Sequence, residues 1–122
     1  MHEQNLKKYS DIENCPIRNV LDHIGDKWSM LVLSILNEEG TLRFNQLHKT
    51  IGTVSQKMLS TTLKRLESDG LLVREVFPEI PPRVEYQLTE RGKSLIPHIN
   101  NLVGWAVENF DGIKDSRLTF TV

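Results

Sequence analysis

Between Arg43 and Gly70 the chain carries two short amphipathic stripes separated by a turn of three residues, Gly52-Thr53-Val54. Phe44, Leu47 and Ile51 recur at helical spacing before the break, and Leu59, Leu63 and Leu66 recur after it, so each stripe marks the apolar face of an α-helix. Gly52 supplies the turn, Ser55 can cap the second helix, and Gly70 ends it after Asp69. Two helices joined this tightly cannot run in line; they must cross and bury their stripes against a common neighbour. The pattern predicts helices over 43–51 and 55–69, and the rest of the chain has to supply the core they share.

That supply is visible on both sides. Pro16 suits the first turn of a helix in which Ile17, Val20, Leu21 and Ile24 form a stripe that stops at Gly25. Asp26 can cap a second helix, where Trp28, Leu31, Val32, Ile35 and Leu36 make a stripe that Met30 and Leu33 widen; it is expected to be the core helix. A brief extended Thr41-Leu42 follows. Leu71 to Phe77 is rich in β-formers, and Val84, Tyr86 and Leu88 alternate with Arg83, Glu85 and Gln87, giving two strands around the stiff tip Pro78-Glu79-Ile80-Pro81-Pro82. Thr89 can cap a last helix with Leu95, Ile99, Leu102, Ala106 and Phe110 on one stripe and Ile96, Val103 and Val107 beside it. One small core cannot cover that much apolar surface, so a second copy of the chain is expected against it, with Trp105 as an anchor. Pro97 predicts a kink or a restart. The fold class is mainly α with a small β-hairpin, a winged helix-turn-helix: an arm over 1–14, a winged domain with its dimerisation helix over 15–112, and a tail over 113–122.

Several classes are excluded. No apolar run approaches the ~18 residues of a membrane span, and Met1 to Lys8 lacks the apolar core of a signal peptide, so a cytoplasmic location is expected. His2, His23, His48 and His98 are scattered, and no metal or other cofactor is expected. Phosphate-binding glycine loops, nucleophile elbows and paired catalytic acids are missing, which argues against an enzyme. Net charge is −1, but residues 43–93 hold 9 Lys/Arg against 6 Asp/Glu, while 1–42 hold 4 against 7. The positive middle coincides with the two crossed helices.

At about 100° per residue, Lys57, Ser60, Thr61 and Lys64 fall opposite the leucines of the second crossed helix. A helix fits a DNA major groove, and it can read base edges if it carries donors near its N-terminus and cations on its flanks. Gln56, Lys57, Ser60, Thr61 and Lys64 meet that description; Ser55, at the positive end of the helix dipole, adds a phosphate contact. Arg43 can touch phosphate from the first crossed helix, and Arg83 can reach a groove from the hairpin tip. Double-stranded DNA is thus the expected partner; a protein docked on the same polar face is the alternative.

The chain resembles the HxlR-type winged helix-turn-helix transcriptional regulators of bacteria. The resemblance rests on Cys15-Pro16-Ile17, Gly25-Asp26-Lys27-Trp28, Arg43-Phe44, Ile51-Gly52, Ser55-Gln56-Lys57-Met58-Leu59, Leu63 to Glu67, Asp69-Gly70-Leu71, Pro81-Pro82-Arg83-Val84-Glu85-Tyr86, and Leu88-Thr89 with Gly92. It implies a homodimer paired through N- and C-terminal helices, with one recognition helix per subunit in successive major grooves of a near-palindromic operator. In several members a cysteine just before the first-helix proline senses electrophiles or oxidants, and Cys15 stands at that position. A helix N-terminus lowers a thiol pKa, and Arg18 lies one turn away; Asp11 and Glu13 oppose this, and a lone cysteine is commonly an inert core residue. A small ligand held between the dimer helices remains an alternative signal.

Overall fold

The computed structural model describes residues 9–121, so Met1 to Lys8, most of the expected arm, lie outside the described residues. Helix α1 begins after Pro16 as a π-helical segment, Ile17–Leu21, and continues directly as Asp22–Ile24. Helix α2 spans Lys27–Glu39, strand β1 Leu42–Arg43, helix α3 Phe44–Ile51 and helix α4 Gln56–Ser68. Strands β2 (Leu72–Phe77) and β3 (Arg83–Leu88) form the wing, and helix α5 spans Glu90–Thr119. No described helix is long and apolar enough to cross a membrane.

The core is built around α2. Asp26 caps it by accepting the Ser29 N–H at 3.0 Å, and Val32, Leu33 and Leu36 are fully buried. They meet Leu47 of α3, Leu59, Leu63 and Leu66 of α4, Leu72 and Leu88 of the wing, and Ile96 and Ile99 of α5. The expected stripe of α2 is rotated slightly: Leu33 is inside and Leu31 is exposed. Correction is larger in α1, where Ile17, Val20 and Leu21 are about half exposed and only Ile24 is buried. Periodicity defined an apolar face there, but the subunit's own core does not reach it.

The sheet has three strands rather than two, ordered β1-β3-β2 and antiparallel throughout. The extended segment before α3 pairs Leu42 with Tyr86 and Arg43 with Glu85, while β2 and β3 pair from Leu72–Leu88 to Phe77–Arg83. Thr89 joins wing to α5: its hydroxyl accepts the Gly92 N–H at 3.1 Å and donates to the Gly70 carbonyl at 2.6 Å. A Cβ at Gly92 would collide with the Leu71 carbonyl oxygen, so glycine lets α5 approach the turn between α4 and β2 closely.

Helix α5 is continuous through Pro97, with no restart. Buried Ile96 and Ile99 anchor the turns around the proline, which offsets the backbone hydrogen bond it removes. The helix also continues to Thr119, so most of the stretch expected as a tail from 113 is helical. Beyond Asn100 no described residue of α5 is buried; Leu102, Val103, Trp105, Val107 and Phe110 are about half or more exposed.

Candidate nucleic-acid interface

The crossed pair is α3 and α4. Helix α3 ends at Gly52, whose φ of 81° lies in the left-handed region that favours glycine, and whose N–H reaches the His48 carbonyl at 2.9 Å. Val54 tucks into the core, and Ser55 caps α4 by accepting the Met58 N–H at 3.0 Å. The Leu59 N–H takes the Ser55 carbonyl at 2.9 Å. The N–H groups of Gln56 and Lys57 precede the first carbonyls a helix can offer, so they remain available to an anion at the positive end of α4.

The apolar face of α4 is consumed entirely by the core: Leu59, Thr62, Leu63 and Leu66 are buried. Its opposite face is open, with Ser55, Gln56, Lys57, Thr61 and Lys64 exposed together with Met58. Two expected donors are less free than their periodicity suggested. Thr61 donates its hydroxyl to the Lys57 carbonyl at 2.9 Å, and Ser60 is half-buried in a depression with Tyr86, Arg74 and Glu67 at the base of the wing. Met58 was not singled out by pattern. Its exposure beside Gln56 and Lys57 supplies an apolar atom group of the kind that packs on a thymine methyl. The signal was available in the sequence, since residue 58 falls between the leucine stripe and the lysine face.

Arg43 is exposed at the N-cap of α3, where its own N–H donates to Gln46 Oε1 at 2.8 Å. With Phe44 and Asn45 it forms one wall of an open groove of about 470 Å³ whose other wall is the wing tip, Glu79 to Val84. Arg83, expected to extend from that tip, is instead drawn into the wing. Its guanidinium lies 4.0 Å over the Phe77 ring, Nη1 is 3.3 Å from Glu79 Oε2, and Nε is 3.2 Å from Glu85 Oε2. Ile80 is left fully exposed at the tip. Ionic partners therefore neutralise the wing cation, while Lys57 and Lys64 on α4 stay open to solvent.

Behind the interface, partly buried polar contacts organise the start of α2, and one ion pair links it to α4. Ser29 Oγ lies 2.8 Å from Asp26 Oδ2 and 3.1 Å from the His23 carbonyl, and Arg65 of α4 approaches Asp26 at 3.6 Å. Partial burial resists ionisation of Asp26, but the Ser29 hydrogen bonds and the Arg65 charge outweigh it and hold the carboxyl below the usual aspartate range. Tyr86 is pushed the other way: desolvation raises its phenol, Arg74 opposes this, and Glu67 adds to it.

Cys15 is buried, with only 4% of its surface exposed, and its carbonyl accepts the Asn19 N–H at 2.8 Å, placing it in the first turn leading into α1. Arg18, the cation expected one turn away, has its Nη1 donating to the carbonyls of Tyr9 and Ser10 at 3.4 Å. Asp11 is turned into its own loop, where the Asn14 side chain and then the Asn14 N–H lower its pKa.

A family model described as HxlR-like helix-turn-helix matches residues 23–114. The chain belongs to this family. Among its relatives, the HTH-type transcriptional regulator BH0655 of Halalkalibacterium halodurans is 41% identical over 102 residues, covering 84% of this chain and 90% of that one. Among solved structures, the transcriptional regulator ytfH from Salmonella typhimurium superimposes with a TM-score of 0.77 at 40% identity, covering 86% and 93% of the two chains. The redox regulator HypR in its reduced form gives 0.75 at 36% identity, covering 82% and 98%. This HxlR-like chain is a transcriptional regulator of helix-turn-helix type.

Proposed function

We propose that this HxlR-like regulator acts in the cytoplasm as a homodimer on a near-palindromic operator, with α4 of each protomer in a major groove. The observation that carries the reading is the division of α4 into a fully buried apolar face and an open face bearing Ser55, Gln56, Lys57, Thr61 and Lys64. Lys57, Lys64, Arg43 and the N–H groups after Ser55 hold phosphates; Gln56, Met58 and the hydroxyls of Ser60 and Thr61 meet base edges. Arg83 joins them only by exchanging Glu79 for a phosphate. The exposed apolar faces of α1 and α5 form the dimer contact. Selection of bound fragments from genomic DNA, followed by titration at two salt concentrations, tests the reading. A regulator selects one operator well above background and loses affinity steeply with salt; weak, sequence-indifferent binding favours a protein-interaction module instead.

Cys15 is proposed as the switch. Support comes from its place at the start of α1 and from the likeness to HypR, a redox regulator. Because the thiol is buried, modification there must displace the first turn of α1, and oxidation to sulfenic acid, adduction or a bridge to the partner's Cys15 each adds bulk that the site lacks. Diamide or a quinone should change operator affinity in the native protein and leave Cys15→Ser unchanged. Equal responses from both would transfer the signal to a small ligand.

A further inference from the structure

At the end of α4, beyond the buried Leu66, one residue touches three elements. Asp69 closes α4, its N–H donating to the Arg65 carbonyl at 3.1 Å. Its carboxylate lies 2.9 and 3.2 Å from His23 Nδ1, at the far end of α1. A carboxylate only accepts, so the imidazole nitrogen donates. Its carbonyl accepts Arg91 Nη1 of α5 at 3.0 Å. One residue thus ties the proposed recognition helix to both helices proposed to pair the protomers.

The tie to α1 carries weight because little else holds that helix. Of residues 17–24 only Ile24 is buried; Arg18 and Asn19 bond back to the preceding loop, and the His23 carbonyl accepting from Ser29 Oγ is a further polar link to α2. On the α5 side the approach is equally close: Thr89 bonds the Gly70 carbonyl, and Gly92 leaves no room for a Cβ against Leu71. Asp69 lies at the opposite end of α4 from Gln56 and Lys57, so a small rotation about it moves the reading end of the helix most.

We infer that Asp69 is a positioning residue whose carboxylate, through His23, sets the angle of α4 to α1, and thereby the separation of half-sites that the dimer accepts. The inference rests on the dimeric operator reading above. In a dimer whose pairing helices are fixed, the two α4 helices must match both the distance and the rotation between half-sites. Moving one half-site by a base pair shifts it by about 3.4 Å and turns it by about 35° around the duplex. A tightly held α4 rejects that change; a loosened one tolerates it.

The experiment uses the full-length chain and its selected operator, alongside operators with one base pair added or removed at the centre. The native protein should lose about tenfold or more in affinity on either altered operator, a difference worth roughly 1.4 kcal/mol. Asp69→Ala and His23→Ala, checked for native helicity by circular dichroism, should each reduce that penalty to about threefold or less. Asp69→Asn keeps an oxygen able to accept from His23 Nδ1 and should restore the sharp preference. A merely structural loss would instead weaken binding to all three operators alike. Should Asp69→Ala fail to fold, His23→Ala decides. A native chain that prefers one spacing, matched by folded alanine variants with the same preference, overturns the positioning role alone; a native chain that selects no operator overturns the operator reading, and the positioning role with it.

Discussion

Helices α4 and α5 both carry a long aliphatic stripe, yet they use it in opposite ways. In α4 the stripe lies wholly within its own subunit, which leaves a polar face outside. In α5 only Gly92, Ile96 and Ile99 are buried, and the aliphatic and aromatic side chains beyond Asn100 face outwards. At about 1.5 Å per residue a helix of this length reaches about 45 Å, further than a core of this size extends. The contrast teaches that amphipathicity specifies a face and its area, while the identity of what covers it depends on where the helix is carried.

Six substitutions probe that contrast, the largest effect first. Leu66→Ala removes a fully buried side chain from α4 and should cost about 2–5 kcal/mol, read by urea unfolding. A loss as small as that of a surface change would place the α4 stripe outside the core. Val107→Glu, on a residue 70% exposed in α5, should leave helicity intact but separate the protomers in sedimentation, with operator affinity falling about hundredfold as linked half-sites become independent. Unchanged sedimentation would assign the exposed α5 face another role.

Asp26→Ala acts where α2 supports α4 and should cost about 1 kcal/mol at neutral pH through loss of the cap. The folded carboxyl ionises below its unfolded value, so its contribution is complete above about pH 4 and is lost as pH falls through the folded value. The stability gap between native and variant should therefore narrow on acidification; a gap independent of pH would remove the charge from the account. Smallest in energy, Lys57→Ala and Lys64→Ala should each weaken binding to all sequences and reduce the slope of log affinity against log salt by about 0.9. Arg83→Ala should change that slope less, because Glu79 and Glu85 already neutralise the guanidinium.

The helix-turn-helix was legible because its signals are local. Gly52, Ser55 and Gly70 fix turn and caps through their own backbone preferences, and the structure places α4 one residue inside each expected end. Strand β1 was not legible as a strand: Leu42–Arg43 is two residues long and exists only because β3, more than forty residues later, pairs with it. Arg83 shows the same limit at the site, since its partners Phe77, Glu79 and Glu85 gather only when the wing closes. The continuation of α5 to Thr119 follows from weak punctuation, as a glycine such as Gly112 costs a helix only about 1 kcal/mol.

By itself the sequence determined the order of the helices and the two wing strands, the helix caps, the crossed pair and the residue types on the outer face of α4, because each depends on backbone preference or on spacing along one element. Only the tertiary structure decided which apolar faces remain open, which cations are free of partners, and that Asp69 joins α1, α4 and α5. Those outcomes are set by contacts between residues distant in the chain, and such contacts exist only once the shared core has brought the elements together.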